Sequence, residues 1–177
     1  MSHYTFPTEF RALYDHACSQ YAKGLRGAET FFSSEQQAWL AANGITEQAI
    51  YDYAEDQANY GEPGFEHALQ IETVRRDYFL NVQKGVPSGV VADPANWPAK
   101  DAEVDGIGWL PRILPKARAK LRGELPSTLM YGCGGDRRFL KHNHIMPAEL
   151  LALVWRHADD AALVAWVKAR RQACGVK

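Results

Sequence analysis

The chain is 177 residues long, with 46% hydrophobic residues, 23% charged residues and a net charge of −1. Such a composition excludes a disordered chain, a fibre and a low-complexity tail. The near-zero charge excludes a basic field over the whole protein, so nucleic acid is not an expected partner. No run of about 18 apolar residues occurs, so no membrane span is expected. Met1-Ser2-His3-Tyr4-Thr5-Phe6-Pro7 has no basic region followed by an apolar one, so no signal peptide is expected. Cys18, Cys133 and Cys174 are odd in number and far apart, which argues against a disulfide framework. Without a CxxC pair, a structural zinc site is not expected. These signals predict a cytoplasmic protein with reduced thiols and no metal or other cofactor.

The apolar residues repeat with a helical period almost throughout. Phe10, Leu13, Ala17, Tyr21 and Leu25 predict a helix over residues 7–24, with Pro7 in the first turn, where a missing N–H costs little. Ser33-Ser34-Glu35-Gln36 reads as a capping box opening a short helix that stops at Asn43-Gly44. Thr46 caps a helix over 47–59, closed by Gly61 and Pro63, and a longer one follows over 64–84. Residues 85–108 hold four Gly and three Pro without a clear period, and are expected to be a loop or linker without strands. Pro115 is expected to start a helix reaching Leu121. Three more helices are expected, over 136–143, over 147–157 and from an Asp159 cap to Ala173.

Two stretches match at an offset of 100 residues: Trp39-Leu40-Ala41-Ala42-Asn43-Gly44-Ile45 and Phe139-Leu140-Lys141-His142-Asn143-His144-Ile145. Leu25-Arg26-Gly27 also matches Leu121-Arg122-Gly123. The fold expected is therefore all-α, a duplicated small helical unit packed into one compact domain. Its parts are a first repeat over 1–84, a linker over 85–108 and a second repeat over 109–177. Residues shared by both copies are mostly apolar or turn residues, which packing explains. Cys133, Asp136, Arg137 and Arg138 stand opposite Ser33, Gln36, Gln37 and Ala38, which points to the second copy as the one carrying a site.

Leu110-Pro111-Arg112, then Lys116-Ala117-Arg118-Ala119-Lys120-Leu121-Arg122-Gly123, then Cys133 and Asp136-Arg137-Arg138-Phe139-Leu140 carry a family likeness. In this order they resemble the bacterial family called domain of unknown function 5069, over roughly residues 107–170. The sequence departs from that pattern at Gly134-Gly135 and at Lys141-His142-Asn143-His144. The resemblance implies a small helical bacterial domain and assigns no catalytic residue.

Cys133 lies in a glycine-rich turn just ahead of a helix. A helix N-terminus favours thiolate, Arg137 and Arg138 add to that, and Asp136 opposes it. The functional reading is a nucleophile, with Cys133 and Asp136 as the catalytic candidates; the alternative is a small apolar side chain filling a turn. Between residues 112 and 141 eight Lys and Arg face two acids, a charge of +6, whereas residues 1–70 carry three basic residues against ten acids, a charge of −7. The basic stretch suits a small anionic ligand, because Arg forks match carboxylate and phosphate. It also suits pairing with the acidic half, and weakly suits nucleic acid. Arg112, fixed between Pro111 and Pro115, and Arg137 are the ligand-binding candidates; a structural bridge from Arg112 to Asp136 is the alternative. Lys116 and Lys120 flank the Leu114, Ala117, Leu121 stripe and read as solvated. His142 and His144 point about 200° apart on a helix, so they do not make a metal pair. His144 instead aligns with Gly44 as a left-handed stop. The five Trp residues read as core.

Two functions compete. One is a site for a small anionic ligand in the C-terminal half, with thiol chemistry. The other is a non-catalytic protein–protein interaction module, whose helix faces bind a partner or a second copy in a homodimer. No reaction follows from the sequence.

Overall fold

A computed structural model describes residues 3–157 and 159–176. Among them are eight α-helices and one small hairpin, divided between a unit over Met1–Pro87 and a unit over Ser88–Lys177.

The first unit holds α1 (Phe6–Ala22), α2 (Ser34–Ala42), α3 (Glu47–Tyr60) and α4 (Phe65–Asn81). The expected capping box is present: Ser33 Oγ accepts the Gln36 N–H at 3.3 Å and Gln36 Oε1 accepts the Ser33 N–H at 2.9 Å. Helix α2 ends at Asn43 and Gly44, whose φ is +70°. A Cβ on Gly44 would lie 2.4 Å from the Phe79 ring, so glycine serves both the left-handed turn and the close approach of α4. Thr46 caps α3 through the Ala49 N–H, and Gly61 closes it in the left-handed region. Helix α1 packs on α3 and on α4. Phe10, Leu13, Ala17, Ile50, Tyr53 and Ile71 are buried in this core.

The second unit holds β1 (Glu103–Val104), β2 (Ile107–Gly108), α5 (Leu110–Arg122), α6 (Gly134–His142), α7 (Pro147–Arg156) and α8 (Asp160–Ala173). The two strands correct the expectation of a strandless loop. They pair antiparallel, Glu103 opposite Gly108 and Val104 opposite Ile107. Asp105 and Gly106 between them both have positive φ, the type I′ arrangement that Asp-Gly favours. The rest of that stretch is tied down by side chains. Ser88 Oγ donates to Glu124 at 2.6 Å and the Ala92 N–H to the Glu124 carbonyl at 2.8 Å.

Helix α5 starts at Leu110, five residues before the expected Pro115, which stands inside the helix. Trp109, at φ +67°, turns the chain into the helix, and Pro111 occupies its first turn. The burial of Leu110, Ile113, Leu114, Ala117 and Leu121 on one face outweighs the missing N–H at Pro115. Helix α5 packs on α7, whose Leu150, Leu151 and Val154 are buried. His144 closes α6 at φ +53°, the left-handed stop its alignment with Gly44 suggests.

Candidate functional site

The turn before α6 places a thiol at the helix start and a carboxylate beneath it. Gly132 (φ +86°) redirects the chain, and Cys133 stands at the N-cap with extended backbone. The thiol makes no capping bond to the first turn. Asp136, three residues on, turns back into the protein and is fully buried. Its Oδ1 accepts the Trp109 indole N–H at 3.0 Å. Its Oδ2 accepts the Gly132 N–H at 2.9 Å and an ammonium proton of Lys116 at 2.7 Å.

Lys116 comes from the buried face of α5, with its side chain only 7% exposed. The same Nζ donates to Cys133 Sγ at 3.2 Å. One lysine therefore joins a buried carboxylate to a half-buried thiol, and burial makes each contact stronger than it would be in water. Three donors on Asp136 fix its carboxylate, which in turn fixes the ammonium against the sulfur. Trp109 is held from both sides. Its indole donates to Asp136, and its ring lies where a Cβ on Gly135 would be, 2.6 Å from Cζ2. Gly135 is thus required by the close packing of Trp109 against α6.

The four residues expected to form the site are not all brought together. Cys133 and Asp136 share the Lys116 ammonium. Arg137 is buried and its Nη1 donates to the Gly132 carbonyl at 2.7 Å, bracing the turn that carries the thiol. Arg112 faces the preceding loop: its Nη1 donates to the carbonyls of Pro94 at 3.1 Å and Pro98 at 2.9 Å, and its guanidinium lies 5.3 Å from the Trp97 ring centre. The cation paired with Asp136 is Lys116, not Arg112. Lys116 and Trp109 are the residues that sequence reasoning missed. Lys116 read as a solvated flank and Trp109 as plain core. Their partner lies 20 and 27 residues away, and no local pattern signals such a pairing.

Tyr131, also buried, donates its hydroxyl to the Pro147 carbonyl at 2.7 Å. Burial, and then the nearby Asp136 charge, pushes its phenol well above the usual tyrosine range. Burial pushes the Cys18 thiol up, and Cys174 is exposed just past the end of α8. Much of the basic stretch is engaged within its own unit: Arg118 pairs with Asp160 and Arg122 with Glu124. An open groove of about 610 Å³ runs along α8 beside the hairpin, and none of Arg112, Cys133, Asp136 or Arg137 lines it. No helix among the described residues is long and apolar enough to cross a membrane.

Residues 99–176 match the model of a family described as a domain of unknown function, DUF5069. The match takes in Trp109, Arg112, Lys116, Cys133, Asp136 and Arg137, and lies within the second unit. Comparison with curated proteins and with solved structures gives no match.

Proposed function

We propose that the second unit presents a reactive thiol, Cys133, to a small anionic molecule carrying an electrophilic centre. The observation that carries this reading is the Lys116 ammonium, 3.2 Å from Cys133 Sγ and anchored on Asp136. A fixed cation beside a nucleophile stabilises negative charge there and draws an anion towards it. In this reading Cys133 is the nucleophile. Asp136 is a positioning residue, since its carboxylate is enclosed by three donors. Arg137 holds the turn, and Arg112 orders the loop before α5.

The reading includes a duplication of the helical unit. Its support is local. Helices α2 and α6 are both nine residues long and 100 residues apart. Asn43 and Asn143 are both buried, and each donates to the carbonyl four residues back. Each also accepts from an arginine, Arg76 or Arg171. Under this correspondence Cys133 takes the place of the capping Ser33, a cap exchanged for a thiol.

The test compares two alkylating reagents of one size and different charge. Iodoacetate is an anion and iodoacetamide is neutral. The iodoacetate-to-iodoacetamide rate ratio at Cys133 should exceed that at exposed Cys174 several-fold, and the excess should shrink with salt. Equal ratios at the two thiols would refute the anion site. A second reading, a non-catalytic interaction module, draws on the open groove along α8, which Lys168 and Asp105 bridge at 2.7 Å. It predicts that Lys168→Glu weakens self-association in sedimentation and leaves Cys133 reactivity unchanged.

A further inference from the structure

We propose that Cys133 and Lys116 are a modification site, joined by a covalent sulfur–nitrogen bond when a peroxide oxidises the thiol. This inference rests on the reading of Cys133 as a reactive thiol and adds a second nucleophile, the lysine amine. Three features carry it. The nitrogen is already in contact with the sulfur, at 3.2 Å. The lysine is almost wholly buried, so its amine is held at that sulfur rather than sampling solvent. A carboxylate that can take its proton, Asp136 Oδ2, lies 2.7 Å from the same nitrogen.

The chemistry balances in two steps. Hydrogen peroxide first oxidises the thiol to a sulfenic acid: the sulfur gains an oxygen, and the peroxide is reduced to water. The Lys116 ammonium then gives one proton to Asp136, and the neutral amine attacks the sulfur. The S–N bond forms and the S–O bond breaks. The leaving hydroxide takes a second proton from the nitrogen and departs as water. The sum is one thiol, one ammonium, one carboxylate and one peroxide, giving one sulfenamide, one carboxylic acid and two waters. The lysine loses its charge as the carboxylate loses its own, so the buried site remains neutral overall and pays no new desolvation.

Two consequences follow from the positions of the partners. The bond ties α5 to the start of α6, through Lys116 on one and Cys133 on the other. It also removes the sulfenic acid before further peroxide carries it to the irreversible sulfinic acid. Two equivalents of a small thiol reverse it, restoring the cysteine and lysine and leaving a small-molecule disulfide.

The experiment treats the full chain with a few equivalents of hydrogen peroxide, digests it with trypsin without reductant, and reads the peptides by mass spectrometry. The expected product joins the Lys116 and Cys133 peptides, is uncleaved after Lys116, and is about 2 Da lighter than their sum. Dithiothreitol should remove it, and Lys116→Arg should not form it. A Cys133 that passes to sulfinic acid with no link overturns the proposal, as does a Cys133 peptide that by itself becomes about 2 Da lighter, equally in wild type and Lys116→Arg, which would place the bond on a backbone nitrogen of its own turn. Should Lys116→Arg not fold, fragmentation of the wild-type product identifies the linked nitrogen directly. Iodoacetamide on a parallel sample separates the two levels. Fast alkylation without a link refutes the cross-link alone, whereas a native thiol inert to both reagents refutes the reactive-thiol reading as well.

Discussion

Replacing Cys133 with serine should make the protein more stable while removing its reactive thiol. Cys133 has backbone angles φ −62° and ψ 171°, close to the −68° and 162° of Ser33. At Ser33 the hydroxyl accepts the amide three residues on; at Cys133 the thiol caps nothing. A serine hydroxyl in that geometry reaches the Asp136 N–H. An N-cap hydroxyl stabilises by about 0.5–2 kcal/mol, typically ~1. The lost contact of a half-buried sulfur offsets a few tenths of a kcal/mol. The net expectation is a gain of about 0.5–1 kcal/mol, or roughly 2–8 °C in the melting of a unit of this size. Urea unfolding followed by circular dichroism measures it, with Cys133→Ala as the reference that has neither cap nor thiol. Loss of 1 kcal/mol or more in Cys133→Ser would refute the reasoning and make the sulfur a packing group. A gain would mean that this position holds cysteine at a cost in stability, as sites kept for chemistry do.

Other substitutions around the turn have signs that depend on geometry. Gly134→Ala should stabilise by about 0.5–1 kcal/mol, because a Cβ there meets nothing closer than 4.0 Å and alanine is the better helix former. Gly135→Ala, one residue later, should instead destabilise by about 1–3 kcal/mol, since its Cβ would overlap the Trp109 ring. Equal effects of the two in thermal melts would contradict the packing described. Asp136→Asn should cost about 3–5 kcal/mol in urea unfolding by leaving Lys116 buried without its counter-charge; a cost below 1 kcal/mol would show that the pair is not what holds the turn. Tyr131 sets an alkaline limit. Its phenol titrates well above the usual value when folded and near the ordinary ~10 when unfolded, so the native state retains that proton longer. Stability should therefore fall as pH rises above about 10, less steeply in Tyr131→Phe. An identical pH dependence in both proteins, by urea titration, would refute it.

The helices were legible where local chemistry determines them. The Ser33 capping box, the Thr46 cap and the left-handed His144 stop are contacts within a few residues, and the sequence alone locates them. The α5 start was not, because Pro115 is a strong local signal that a buried face overrides. The hairpin was missed although Asp105-Gly106 is a good turn signal, since strands of two residues leave no alternating pattern. At the site, Cys133 and Asp136 are legible because a thiol in a glycine-rich turn three residues ahead of an acid marks a helix start. Lys116 is not, because its neighbours form the apolar stripe, and its burial follows from a partner 20 residues away. Arg112 stands between Pro111 and Pro115 in the sequence, but what it faces is the Pro94–Pro98 loop, which only the folded chain brings near.

Whether the Lys116 contact makes Cys133 reactive is read from the relative rates of the three thiols. The three thiols are followed individually by mass spectrometry during alkylation of the native protein by iodoacetamide at neutral pH. Cys174 is exposed, Cys133 is half-buried, and burial pushes the Cys18 thiol up. If exposure alone governed the rates, Cys174 would react first. Cys133 should react fastest in spite of its partial burial, and Lys116→Gln should bring it below Cys174. A Cys133 that lags behind Cys174 in the wild-type protein, or reacts only on unfolding, would contradict that role for the Lys116 contact.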